Sequence, residues 1–138
     1  MILNIEAELA AAERIVALAQ AELARCEAEV EFAFGTKPVY AVEWSTHGRV
    51  AGWCMYPHAG KPALLKFNAR LAVQEGPRFR ETIAHEYAHA VTFARYGGSV
   101  RPHGREWQNL MQILGFAGDR CHGYATVSAA ASRRKGLL

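Results

Sequence analysis

An α+β fold is what this 138-residue sequence predicts. Three observations carry the expectation. The first stretch places apolar residues at helical spacing, the middle holds short β-rich runs broken by turn residues, and two later stretches return to a helical period. Hydrophobic residues make up 51% of the chain, which is enough for one domain with its own core and argues against disorder throughout.

Residues 2–34 read as one long helix, because Ile5, Leu9, Ala12, Val16, Ala19, Leu23, Cys26 and Val30 recur in steps of four and three. Such a narrow, alanine-rich stripe suits a helix packed on or extending from its own domain, and its heptad spacing also allows a coiled-coil dimer. The chain is therefore expected to be a monomer, or a dimer through this helix. Gly35 and Pro38 end it. Residues 39–70 read as a small three-stranded sheet, a meander or part of a mixed sheet. Its strand candidates are VYAVEW, RVAGWCMY and ALLKFN, with STHG and PHAGKP as turns. A second helix is expected over 77–96, with Pro77 in its first turn and Gly97-Gly98 at its end, and a short third one over 105–114, closed by Gly115. The organisation expected is the N-terminal helix (1–34), a core (35–127) and a flexible basic tail (128–138).

Cys26, Cys54 and Cys121 lie far apart and form no CxxC pair, so neither a disulfide framework nor a cysteine zinc knuckle within the chain is expected. Early glutamates (Glu6, Glu8, Glu13) argue against a signal peptide, and no apolar run is long enough to span a membrane. A cytoplasmic protein is expected, with association to the nucleoid open to it. Residues 1–34 hold two arginines and seven glutamates, a net −5, whereas residues 35–138 hold 14 basic and 6 acidic side chains, a net +8. A basic globular part points to an anionic partner, nucleic acid first, or else to a solubilising surface.

The chemistry sits in ETIAHEYAHAVTF, residues 81–93. Each helical residue advances by about 100°, so His85 and His89 lie roughly 40° apart on one face, one turn apart, as two ligands of one zinc ion need. Ile83, Ala84, Tyr87, Val91 and Ala94 form the opposite, apolar face, so the histidines are expected to face a cleft beside the core. Glu86 is no ligand in an HExxH helix; it is the general base for the water the metal activates. Thr92 and Arg95 stand where the extended metzincin motif needs glycine and histidine, which excludes that class. A third ligand must come from RPHGREW, either His103 or Glu106. His47 and His58 fall in turns and read as solvated, while His122 in RCHGYA is a candidate for steadying a transition-state oxyanion.

The succession HGRVAGW, LLKFNARL, TIAHEYAHAVTF and GGSVRPHGREWQNLMQILG resembles the SprT-like metalloproteases, the zinc-protease domain of bacterial SprT and eukaryotic Spartan, over about residues 36–124. The resemblance implies a zincin-like minimal metalloprotease domain with one zinc per chain. It implies that His85, His89 and His103 are the ligands, which decides for His103 over Glu106. Glu86 is then the base, Trp107 a packing aromatic and Asn68 a structural residue capping a turn. Many SprT proteins also carry a C-terminal zinc ribbon of paired cysteines, and this sequence has no such pairs.

The function expected is a zinc-dependent endopeptidase acting on flexible or DNA-associated proteins, which extends to DNA–protein crosslink processing. Single-stranded DNA is the favoured nucleic acid, and Lys37, Arg49, Lys61, Lys66 and Arg101 are the candidate phosphate contacts. The alternative is a non-catalytic zinc-containing DNA-binding or assembly module.

Overall fold

A computed structural model describes residues 2–118. In order, the elements are α1 (Ile2–Phe34), β1 (Tyr40–Ser45), β2 (Gly52–Met55), β3 (Ala63–Asn68), α2 (Ala69–Glu75), α3 (Phe79–Tyr96) and α4 (Arg105–Ile113). Short 3-10 turns at Gly76–Arg78 and Gly97–Ser99 flank α3. No helix among the described residues is long and apolar enough to cross a membrane.

The sheet is mixed, not a meander. Its order is β1-β3-β2, with β1 parallel and β2 antiparallel to β3. β3 is central because its inward side chains Ala63, Leu65 and Phe67 are all buried, whereas β1 is largely exposed. The PHAGKP turn closes the β2–β3 hairpin: Lys61 N donates to His58 O at 2.9 Å, and Ala59 and Gly60 both take positive φ, as a primed turn requires.

α1 lies on the core through Ile15, Ala19, Leu23, Cys26 and Val30. The expected stripe drifts: Ile15 is buried where Val16 was expected to be, and Ile5 and Leu9 are 58% and 61% exposed. A helix packed on a globular core follows a period of 3.6, not the 3.5 of a heptad. The helix is also clasped by charge. Glu22 is buried and accepts hydrogen bonds from Arg25 (2.6 and 3.0 Å) and from Arg80 of α3 (3.1 Å). Arg25 in turn donates to the carbonyl of Leu114 at the end of α4, at 2.7 Å. Burial alone would push the Glu22 carboxyl up, but the bonds from Arg25 and Arg80 outweigh it and hold it below its ordinary value.

Two boundaries differ from those expected. Residues 69–75 form α2, capped by Asn68, whose Oδ1 accepts from the Leu71 N–H at 3.1 Å while its Nδ2 donates to the His47 carbonyl at 2.8 Å. The capping role expected of Asn68 is thus present, but it opens a helix that the sequence does not predict. Pro77 lies in the 3-10 turn ahead of α3, which begins at Phe79.

Candidate metal centre

α3 is the buried axis of the molecule, with every residue from Thr82 to Thr92 out of solvent. Ile83, Ala84, Tyr87 and Val91 do face the core, and Ala94 is exposed. The expected division between a core face and an open face fails, however. His85 and His89 are only 2% and 1% exposed, because α4 and the loop before it close over that side.

His103 completes the cluster from that loop. Its Nε2 lies 2.9 Å from Nε2 of His85 and 3.2 Å from Nε2 of His89. The ligand atoms of the three histidines fall within 4.8 Å of one another, and the group can hold a metal ion. The local sequence explains why His103 reaches them. It adopts φ = 60°, a left-handed conformation that histidine tolerates better than most residues. Gly104 follows where a Cβ would meet the Arg101 carbonyl oxygen at 3.0 Å. The Gln108 side chain donates to the His103 carbonyl at 2.9 Å and fixes the turn onto α4.

Trp107 is more than a packing aromatic. It is fully buried and touches all three imidazoles, with ring centroids at 4.7 Å from His85, 4.6 Å from His103 and 5.6 Å, stacked, from His89. Its Nε1 donates to the His85 carbonyl at 3.2 Å. The HG-x-x-W spacing places this indole one helical turn past His103, and that is the signal from which its place as a wall of the site can be read.

The electrostatics suit a cation. Burial, then the neighbouring His85 and His103, hold His89 well below the usual histidine range, so it presents a neutral ring. Three imidazole nitrogens turned toward one point cannot all satisfy each other by hydrogen bonding, whereas neutral nitrogens converging on a metal can all serve as ligands. Glu86 stands beside them, with Oε2 3.9 Å from Nε2 of His85. Burial pushes its carboxyl up to about 8, and its Oε1 has no hydrogen-bond partner among the described residues. A bound cation would favour its ionised form. The carboxylate is pressed from the other side by β2, since a Cβ on Gly52 would lie 2.8 Å from Thr82 Cγ2 and 3.0 Å from Glu86 Cγ. Sequence reading missed Gly52, although the glycine inside a strand was the available signal.

The five basic candidates occupy five different segments. Lys37 pairs with Glu27 at 3.0 Å, and Lys66 pairs with Glu43 at 3.4 Å and lies over the Trp53 ring. Arg49, Lys61 and Arg101 are exposed. His47 and His58 are exposed in turns, as expected. His122, Cys121 and the tail 128–138 lie outside the described residues.

Comparison with known proteins agrees with this constellation. The chain is 44% identical over 72 residues to a protein named Protein SprT from Pseudomonas paraeruginosa, covering 51% of this chain and 44% of that one. It is 42% identical over 64 residues to Protein SprT of Pseudomonas savastanoi pv. phaseolicola (45% and 39% covered), and 40% over 63 residues to that of Pseudomonas fluorescens (44% and 38%). The chain thus spans less than half the length of these relatives. No solved structure matches it significantly. The model of the SprT-like family matches residues 19–128, a range that takes in α1 from Ala19 on, the sheet and all three histidines, and the chain belongs to that family.

Proposed function

We propose that this chain is a zinc-dependent endopeptidase of zincin-like architecture that hydrolyses peptide bonds in flexible or DNA-associated proteins. One observation carries the reading: three imidazole Nε2 atoms converge beside a buried carboxylate oxygen that has no partner among the described residues. The nitrogens stand 2.9 and 3.2 Å apart along two edges. Tetrahedral zinc with bonds of 2.0–2.1 Å wants about 3.3 Å, close to both of these edges. Three neutral nitrogens are also the donor set of a catalytic zinc with an open position.

His85, His89 and His103 would hold the ion, which when bound supplies Lewis acidity to a water and to the substrate carbonyl. The chain's own residues do the rest. Glu86 accepts the proton of the attacking water on its free oxygen and delivers it to the leaving amine. Trp107 keeps the imidazoles in place and dry. β2 is a sheet edge that runs beside Glu86, so an extended substrate segment can pair with its backbone. Flexible chains meet that requirement better than folded ones. Exposed Arg49, Lys61 and Arg101 offer phosphate contacts that would bring DNA-bound substrates close, and Lys37 and Lys66 would add to them on leaving their carboxylate partners.

A second reading, a non-catalytic zinc-containing DNA-binding or assembly module, draws on the depth of the three histidines. It gives no task to Glu86, whose buried carboxyl would then be a pure cost. The test is cleavage of casein by the zinc-loaded protein, with and without single-stranded DNA, wild type beside Glu86→Gln. The variant should retain zinc and lose at least roughly 100-fold in rate, the scale of general-base loss. Equal cleavage by both proteins would remove Glu86 from the mechanism. Zinc binding without cleavage in any condition would favour the module.

A further inference from the structure

We propose that Tyr56 is a substrate-facing residue of this site, its hydroxyl donating a hydrogen bond to the oxygen of the peptide carbonyl under attack. The inference rests on the endopeptidase reading and adds a residue to it.

Two rows of side chains set the place of Tyr56. Gly52, Cys54 and Tyr56 alternate along β2 and its first residue beyond, on one face. Thr82, Glu86, His89 and Phe93 follow in steps of four, three and four, on one face of α3. The rows lie against each other. Gly52 meets Thr82 and Glu86 at one end, and the Tyr56 ring packs on Phe93 at the other, with centroids 4.7 Å apart and planes tilted by 31°. Glu86 and His89 occupy the helix between those two contacts, so Tyr56 stands at the end of the row just past the reactive groups.

Its backbone is fixed as well. His58 Nδ1 donates to the Tyr56 carbonyl at 3.2 Å, and the Ala59–Gly60 turn reverses the chain directly afterwards. This gives His58, which has no part in the metal site, a role in holding Tyr56. The ring is half-buried and anchored, yet its hydroxyl has no hydrogen-bond partner among the described residues. Packing on Phe93 would be served equally by phenylalanine, so the hydroxyl is free for another task. Burial, then Cys54 and Glu86, raise the phenol above its ordinary value. It therefore remains an O–H donor at any working pH and lies within electrostatic reach of the Glu86 carboxylate. A substrate segment paired along the β2 edge would run past this hydroxyl, where charge collects on the carbonyl oxygen in the transition state.

The experiment compares wild type with Tyr56→Phe, full chain and zinc-loaded. Zinc content and melting temperature should be unchanged and KM should move by less than about 2-fold, while kcat should fall roughly 100- to 1000-fold, as for loss of one oxyanion donor. A readout independent of turnover is calorimetric binding of a phosphinic tripeptide, which mimics the tetrahedral intermediate. Its affinity should weaken by a similar factor, and that of the matching uncleaved peptide should not. Unchanged kcat and phosphinic affinity in the variant would overturn the inference, as would a loss confined to KM, zinc content or melting temperature. A wild type that cleaves beside an equally active Tyr56→Phe removes only the tyrosine's role, whereas a wild type that never cleaves removes the endopeptidase reading and this inference with it.

Discussion

His103 shows how a single position can be legible in type and not in detail. The sequence alone leaves it level with Glu106, and the resemblance to a family decides between them. What fixes it in space is its φ of 60°, the close approach that Gly104 allows, and the Trp107 indole one turn later. None of these follows from helical spacing, because the loop is irregular and its conformation is set by tertiary contacts. The place of Glu86 beside His85 follows from HExxH, but its burial does not, since neighbours in sequence say nothing of the strand that covers it. That strand yields a prediction at this scale. The Gly52 backbone lies so near Thr82 and Glu86 that a methyl group would sit 2.8 and 3.0 Å from their carbons. Gly52→Ala should therefore displace Glu86, with a drop in hydrolysis of about 10-fold or more, while the three histidines keep their capacity to bind zinc. Zinc content measured beside casein cleavage checks this, and wild-type cleavage by Gly52→Ala would show that the carboxylate does not depend on the strand.

Among the elements, those with strong periodicity were readable. α1 spans the range expected, β2 and β3 fall inside the runs proposed for them, and β1 runs one residue past its own, to Ser45. The failures are short or tertiary. α2 has seven residues and buries only Ala72, too little for a pattern to show. The sheet order could not be read, because strand composition does not say which strand is central. The joint between α2 and α3 carries a second consequence. Glu75, at the end of α2, accepts a hydrogen bond from Thr82 Oγ1 at 3.2 Å. Burial raises its carboxyl to about 7 from an ordinary 4.5, against smaller lowering effects of Thr82 and Arg78. The folded chain thus holds this proton more tightly than the unfolded one does. The stability it contributes is full below about 4.5 and is lost as pH rises through 7. Glu75→Gln keeps an acceptor for Thr82 and removes the ionisation. It should match wild type in urea denaturation at low pH, near pH 4, and exceed it at pH 8 by about 1 kcal/mol, once screening of this half-exposed group is allowed for. Equal stability at both pH values would mean the carboxyl ionises as freely in the folded chain as in the unfolded one.

At the scale of the whole molecule, the charge division read from the sequence is partly internal. Glu22 binds Arg25 and Arg80, and Glu27 binds Lys37, so some of the acidic helix neutralises basic groups of the folded core. What remains exposed is the basis for proposing a DNA-bound substrate. Three histidines from two segments would make an open zinc site with no sulfur ligand. The most direct test is the zinc X-ray absorption spectrum of the purified chain, wild type beside His103→Ala and Glu106→Ala. The account predicts one zinc per chain, imidazole nitrogens at about 2.0–2.1 Å and no sulfur shell near 2.3 Å. It also predicts that zinc is largely lost in His103→Ala and retained in Glu106→Ala. A sulfur neighbour would mean a site closed by cysteine, and zinc that survives in His103→Ala but not in Glu106→Ala would put the third ligand on the wrong residue.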